Sequence, residues 1–419
     1  MPHDATVPPQ RWTAIEHAAF WGIASQFAVY FLGLGPVAPI VTAWPLILLA
    51  GLAILRRRVL PHWLAILWLA TMIGVLGQML AVFWLTGIGG WYVPGWALTF
   101  ALAAFLPMIG EIVRREVVFA GAAVLGVQAL VYSVVAAVTL GAGLDPSYRS
   151  PIPHTRMTDP AAHVIRFTQP PEVAGNEKRL IAFTPFPTSG GAAACLFALL
   201  TLGHRRSWTK GLAMAGWLAL ILLTRARTAI ICAVLGIALY YLLLLPRRYL
   251  LLGAGAGLVV LMAFTGPLLH GAESAYDFLR AQRSASSQDR ANIRGLAWDG
   301  WRYGEHDVMG YGVSVRGGPI VRDVGIGTHD WVAANLFIRG ALGFGLTLLP
   351  WAVTLVFGFF AGFSPAERIV TSIALAFLLY TYSQELQTLY VHTWPVFLIV
   401  GAVGLRERAA SAVPATVKI

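Results

Sequence analysis

The sequence predicts an all-α, polytopic integral membrane protein of about twelve transmembrane helices. Three observations carry that prediction. Apolar runs of roughly 20 residues follow one another along most of the chain, and each can cross about 30 Å of hydrocarbon while satisfying its own backbone. Of the 419 residues, 58% are hydrophobic and only 12% are charged, where a soluble domain carries about a quarter charged. Finally, the basic residues gather at the ends of the apolar runs, and one orientation puts these clusters on a single side. The net charge of +11 therefore reads as topology, and no nucleic-acid partner is expected.

Taken in order, the expected spans are 14–34, 36–55, 63–87, 92–112, 117–141, 187–203, 209–224, 228–245, 249–267, 340–363, 369–384 and 388–405. The N-terminal stretch MPHDATVPPQRW has no basic region ahead of the first run, so that run is expected to be a retained span. Arg56, Arg57 and Arg58 follow the second span, and Arg114 and Arg115 follow the fourth. His204, Arg205, Arg206 and Lys210 follow the sixth, Arg247 and Arg248 the eighth, and Arg406 and Arg408 the twelfth; Arg368 precedes the eleventh. All of these face the cytoplasm if both termini do. Cys195 and Cys232 lie inside apolar runs and read as small core residues. The chain 1–419 reads as a single membrane domain.

Two long polar segments, 142–185 and 268–339, then fall on the opposite face. The first is rich in proline, which argues against one long helix, although Asp159-Pro160 can start a short one. The second carries most of the residues able to do chemistry. Its part from Ser287 to Trp301 has no proline and reads as a helix, with Ser286 or Ser287 as N-cap and Asp289 in the first turn. On that helix Arg290, Arg294 and Trp298 recur every four residues and form one stripe. Guanidinium groups one turn apart suit a diphosphate, and the tryptophan offers a stacking surface for a sugar ring. An amphipathic helix with its arginines toward lipid headgroups accounts for the same spacing. The glycine-rich part that follows, 310–327, lacks the Gly-Lys-Ser/Thr ending of a phosphate loop and reads as a turn-rich lid.

Further cationic positions share that face. The hairpin LLTRARTAII puts Arg225 and Arg227 between the seventh and eighth spans. Two interfacial anchors are the simple reading. An anion site is the functional one, with Arg227 at a helix N-terminus whose partial positive charge adds to the guanidinium. Arg179, on the approach to the sixth span, suits a contact to glycan or to headgroups, with headgroups slightly favoured. His329 stands just ahead of the tenth span, where its ordinary pKa suits proton transfer or a phosphate contact. No metal-binding motif of His, Cys or Asp is present, and neither metal nor cofactor is expected.

Three of these stretches together resemble the O-antigen ligase and O-antigen polymerase superfamily of bacterial envelope glycosyltransferases. Arg227-Thr228-Ala229 resembles the family's Ser-Arg-Thr-Ala element. Ser287 to Arg290, continuing through Trp298 to Gly310-Tyr311-Gly312, resembles its Ser-x-x-Arg, Trp, Gly-x-Gly block, and Arg294 competes with Arg290 for the arginine position. His329-Asp330, nine residues and then Gly340-Ala341-Leu342-Gly343 resemble the histidine element of the ligases, with Asp330 where the family has Asn, Ser or Gln.

The resemblance implies an enzyme of the bacterial inner membrane with a periplasmic active site. It would transfer a glycan from undecaprenyl pyrophosphate to a hydroxyl, with inversion and without metal. His329, Arg227 and Arg290 would be catalytic, with Arg225, Arg294, Trp298 and Arg179 binding substrate. As a ligase the acceptor would be lipid A–core; as an O-antigen or exopolysaccharide polymerase it would be a second lipid-linked glycan. The histidine element leans to the ligase and the long 142–185 segment to the polymerase. A transporter or flippase is the alternative from another class, but the middles of the spans hold few ionisable groups, with Glu385 and His392 near span ends.

Overall fold

The structure is a computed structural model. It describes residues 11–57, 61–87, 93–152, 163–169, 179–184, 186–246, 248–250, 252, 253, 256, 259, 284–312, 315, 316, 325, 326, 331–360, 364–380 and 390–411. The protein is mainly helical: α1 (Ala14–Ala24), α2 (Gln26–Phe31), α3 (Ala38–Thr42), α4 (Trp44–Arg57), α5 (Trp63–Thr86), α6 (Val93–Gly110), α7 (Arg115–Gly141), α8 (Pro187–Thr201), α9 (Ser207–Leu223), α10 (Arg227–Leu242), α11 (Ser284–Tyr303), α12 (Trp331–Phe360), α13 (Pro365–Tyr380) and α14 (Pro395–Ser411). Two small antiparallel ladders add β1 (Ser147–Arg149) against β2 (Val164–Arg166), and β3 (Val315–Arg316) against β4 (Gly325–Ile326). Neither ladder was expected from the sequence. Each is only two or three residues long, too short to show a period-2 pattern.

Three stretches, Trp63–Leu85, Arg115–Gly141 and Val332–Phe360, are helices long and apolar enough to cross a membrane, and several shorter apolar helices accompany them. The expected first span is two helices parted at Ser25, and the second is parted at Ala43, ahead of Pro45. Proline cannot supply the backbone donor that would continue the helix across that point. The expected ninth span, 249–267, lies largely outside the described residues.

The core forms around α8, in which every residue but Thr188 is buried. It touches α7, α9, α10, α13 and α14, the environment that an all-round apolar helix requires. Its Gly-Gly-Ala-Ala-Ala stretch lets those neighbours approach closely. Beside it stands an aromatic cluster in which Trp351 stacks on Phe377 at 4.0 Å and meets Trp68 edge-on at 4.7 Å. Both indole nitrogens are satisfied: Trp68 donates to Thr354 Oγ1 at 3.0 Å, and Trp351 to the Tyr390 hydroxyl at 2.8 Å.

The helix contacts sort the polar residues between two ends. At one end the Thr13–Glu16 capping box closes the start of α1, and Glu16 Oε2 also accepts from Arg114 Nη2 at 3.0 Å. Glu111 accepts from the His62 backbone at the start of α5, Arg205 reaches Glu116 at 3.7 Å, and Arg368 lies 5.2 Å over the ring of Tyr240. Arg115 and Arg205 thus meet at Glu116, beside Arg114, and Arg368 stands beside the last turn of α10. Segments 144–152, 163–169 and 179–184 lie at the other end. There Ser150 and Tyr148 bond the carbonyls of Gly33 and Phe31, and the Tyr30 hydroxyl donates to Arg166 O at 2.9 Å.

Candidate anion-binding site

At that second end the turn between α9 and α10 carries Arg225 and Arg227. Thr224 is fully buried and bonds back to Ile221 O at 2.9 Å. Arg225 follows with φ +51°, the left-handed conformation that side-chain-bearing residues seldom adopt. The chain thereby reverses within three residues, and Arg225 is exposed while Arg227 is half-buried. Arg227 occupies the first helical position of α10, and Ala226 at the N-cap has no side chain able to satisfy the first amides. The partial positive charge of that helix start therefore arises in the same turn as two arginines.

A second helix begins alongside. A Cβ on Gly191 of α8 would fall 2.6 Å from Ala226 Cβ and 2.8 Å from Thr224 Oγ1. Only glycine lets the first turns of α8 rest on the arginine turn. The two helices run in the same direction, since Gly191 meets Ala226 and Ala229 while Leu199 meets Gly236 further along. Phe186 at the N-cap of α8 makes no side-chain cap either. Two uncapped helix starts thus share one end, an arrangement that attracts anions.

Arg179 joins this end through the backbone. Its carbonyl accepts from Gln169 N at 3.0 Å, Ile181 N donates to Phe167 O at 2.7 Å, and Leu180 N donates to Leu223 O at 3.1 Å. The extended segment 179–182 is thereby tied to the last residue of α9, two positions before Arg225. Arg179 is 8% exposed, so most of its side chain is covered by the protein.

The other candidates sit on α11. This helix begins at Ser284, so Ser286 and Ser287 lie inside its first turns and are not its N-cap. It is continuous through Trp298, which puts Arg290, Arg294 and Trp298 on one line. Arg294 is half-buried; Trp298 is 37% exposed and meets Trp301 edge-on at 5.5 Å. The buried side of the helix, Ile293 and Ala297, is one residue out of phase with that line and faces α12. Its main partners among the described elements are α12 and β4. His329 and the side chain of Arg290 lie outside the described residues.

Arg339 is the residue that the sequence reading passed over. It is fully buried one position before a break in α12, where Gly340 has φ +63° and ψ −176°. Its guanidinium lies 4.5 Å over the ring of Phe100, and its Nη1 donates to Thr347 Oγ1 at 3.4 Å. Gln78 of α5 donates to its carbonyl at 3.2 Å. The available signal was an arginine inside a helical, otherwise apolar run; starting the tenth span at 340 concealed it.

No protein-family model matches the chain, and no curated protein is significantly similar to it.

Proposed function

We propose that the protein is a membrane glycosyltransferase whose donor is a glycan carried on undecaprenyl pyrophosphate, and that the acceptor is a lipid A–core hydroxyl at the periplasmic face. The observation that carries this reading is the coincidence of Arg225 and Arg227 with the uncapped starts of α8 and α10. Such a site suits a diphosphate, which spreads its charge over two phosphorus centres and accepts paired hydrogen bonds from guanidinium. The three sequence motifs add the residues of α11 and His329.

In the reaction the acceptor oxygen bonds to the anomeric carbon from the face opposite the leaving group. The bond from that carbon to the diphosphate oxygen breaks, and its electron pair departs on the diphosphate. Arg227 and Arg290 neutralise the charge that grows there, the task of an electrostatic cradle. The hydroxyl proton passes to His329, whose imidazole is the base suited to neutral pH. The docking of segments 144–152 and 163–169 over the end of α2 favours a second reading, in which the acceptor is another lipid-linked glycan and the product a longer polymer.

The test is binding of undecaprenyl pyrophosphate to the purified chain. Arg227→Ala should weaken it by at least about tenfold, the loss of one charge-assisted contact, with thermal stability within a few degrees of the parent. Unchanged affinity would remove Arg227 from the site.

A further inference from the structure

A basic patch forms where α7 begins and α8 turns into α9. A Cβ on Gly203, in that turn, would fall 2.5 Å from the Phe119 ring, so the turn rests directly on α7. Arg115 of α7 and Arg205 of the turn share Glu116, at 3.3 and 3.7 Å, yet the Arg205 side chain stays 85% exposed. Arg206, at the N-cap of α9, is exposed and makes no side-chain cap. Lys210, one turn on, donates to Leu202 O at 3.3 Å. His204 registers both cations: burial first, then the charges of Lys210 and Arg206, hold its pKa below the ordinary value. The carboxylates beside the patch are engaged, Glu116 as above and Glu16 by Arg114. Cations outnumber them, and the start of α9 adds its own partial positive charge. The patch therefore suits an anion.

The same helix carries an apolar lane that leads away from the patch. Trp208, Leu212, Ala215, Leu218 and Leu222 recur at steps of three or four residues and so line one face of α9. All are exposed, whereas Ala213, Gly216, Trp217 and Leu220 are buried. Trp208, 67% exposed, stands at the basic end of the lane, the place an indole takes at a membrane interface. At about 1.5 Å per residue the lane runs about 20 Å, more than the roughly 15 Å of one hydrocarbon leaflet. A soluble phosphate would use the cations and leave the lane bare, and a neutral lipid would do the reverse. Only an amphiphile with an anionic head uses both.

We infer that the patch and the lane together bind one acidic phospholipid, its phosphodiester among Arg205, Arg206 and Lys210 and one acyl chain along α9. The length of α9 separates this site from the Arg225–Arg227 turn, so the inference stands apart from the glycosyl-transfer reading. The full chain in neutral detergent would be offered phosphatidylglycerol and phosphatidylcholine with the same acyl chains, and the retained lipids counted by native mass spectrometry. One phosphatidylglycerol should be held in preference to phosphatidylcholine. Arg205→Gln and Arg206→Gln should each weaken that binding by about fivefold, the worth of one basic residue at an anionic membrane surface. Arg206→Lys keeps the charge and should bind like the parent; a loss equal to that of Arg206→Gln would assign the defect to the turn itself and overturn the site. Arg248→Gln removes the same charge beyond the end of α10 and should change nothing; a loss equal to that of Arg206→Gln would reduce the effect to overall charge, again overturning it. Glycerol phosphate, the head without the tail, should not displace the lipid. Its displacement, or equal retention of the two lipids by the parent, would contradict the proposal.

Discussion

Gly310 and Gly340 meet backbone to backbone at the break in α12. A Cβ on Gly310 would fall 2.4 Å from the Gly340 nitrogen, and one on Gly340 would fall 2.6 Å from the Gly310 nitrogen. Both residues have left-handed φ, +76° and +63°. The approach lets segment 307–312 bond the opened helix: Tyr311 N and Gly312 N donate to Phe337 O and Ile338 O, while Ala341 N and Leu342 N donate to Asp307 O and Val308 O. Together with the small apolar cluster of Ala297, Ala333, Phe337 and Ile338, these bonds fix α11 and its arginine stripe to α12.

Gly340→Ala should therefore destabilise the protein by roughly 2–4 kcal/mol, combining left-handed strain with overpacking. Gly345→Ala, five residues on, meets nothing within 4 Å and should be neutral or stabilising by up to about 1 kcal/mol. Thermal or denaturant unfolding of the pair checks this, and equal effects would show that the close approach is not what matters.

Arg339→Ala should cost at least about 2 kcal/mol, through the lost desolvated contact with Phe100 and the lost packing. Arg339→Lys should restore less than half of that, because an ammonium cannot lie flat on the ring while reaching Thr347. Full rescue by lysine in the same unfolding measurement would leave only a requirement for charge.

At Arg225 the backbone and the side chain separate. Arg225→Gly relieves the left-handed strain that Arg225→Ala keeps, so the glycine variant should be the more stable by about 1 kcal/mol. Both should lose the same factor in affinity for undecaprenyl pyrophosphate, and that loss should shrink at high salt. A glycine variant that binds like the parent would make Arg225 a turn residue only.

His204 gives a pH prediction. Burial, then the charges of Lys210 and Arg206, hold its pKa below the ordinary 6.5. The folded state thus binds fewer protons than the unfolded one. Its contribution to stability is present above about pH 6.5 and is lost as the pH falls toward the depressed value. His204→Gln should flatten the decline in melting temperature between about pH 7 and 5; an unchanged slope would assign that decline to other groups.

Much of the helical plan was legible because apolar run length and cation placement are global signals. The helices at Trp63–Thr86 and Arg115–Gly141 begin and end within two residues of the runs at 63–87 and 117–141. Arg227 at a helix start could be read too, since the short Thr-Arg-Ala-Arg-Thr stretch between two apolar runs leaves few places for a turn. Three-dimensional adjacency was not legible. Nothing in the local sequence ties Leu180 to Leu223 or buries Arg179. Arg339 was missed for a related reason: hydropathy begins a span where polarity stops, whereas α12 begins at Trp331, where packing against α11 supports it.

The most direct test of the account is a transfer assay with the purified protein in liposomes containing a lipid-pyrophosphate-linked glycan, lipid A–core and EDTA. The account predicts one glycan joined to lipid A–core, formed without metal and lost in Arg227→Ala. A ladder of longer glycans remaining on the carrier would replace the ligase with the polymerase. The absence of any glycosyl product, from a folded protein supplied with both substrates, would contradict the account.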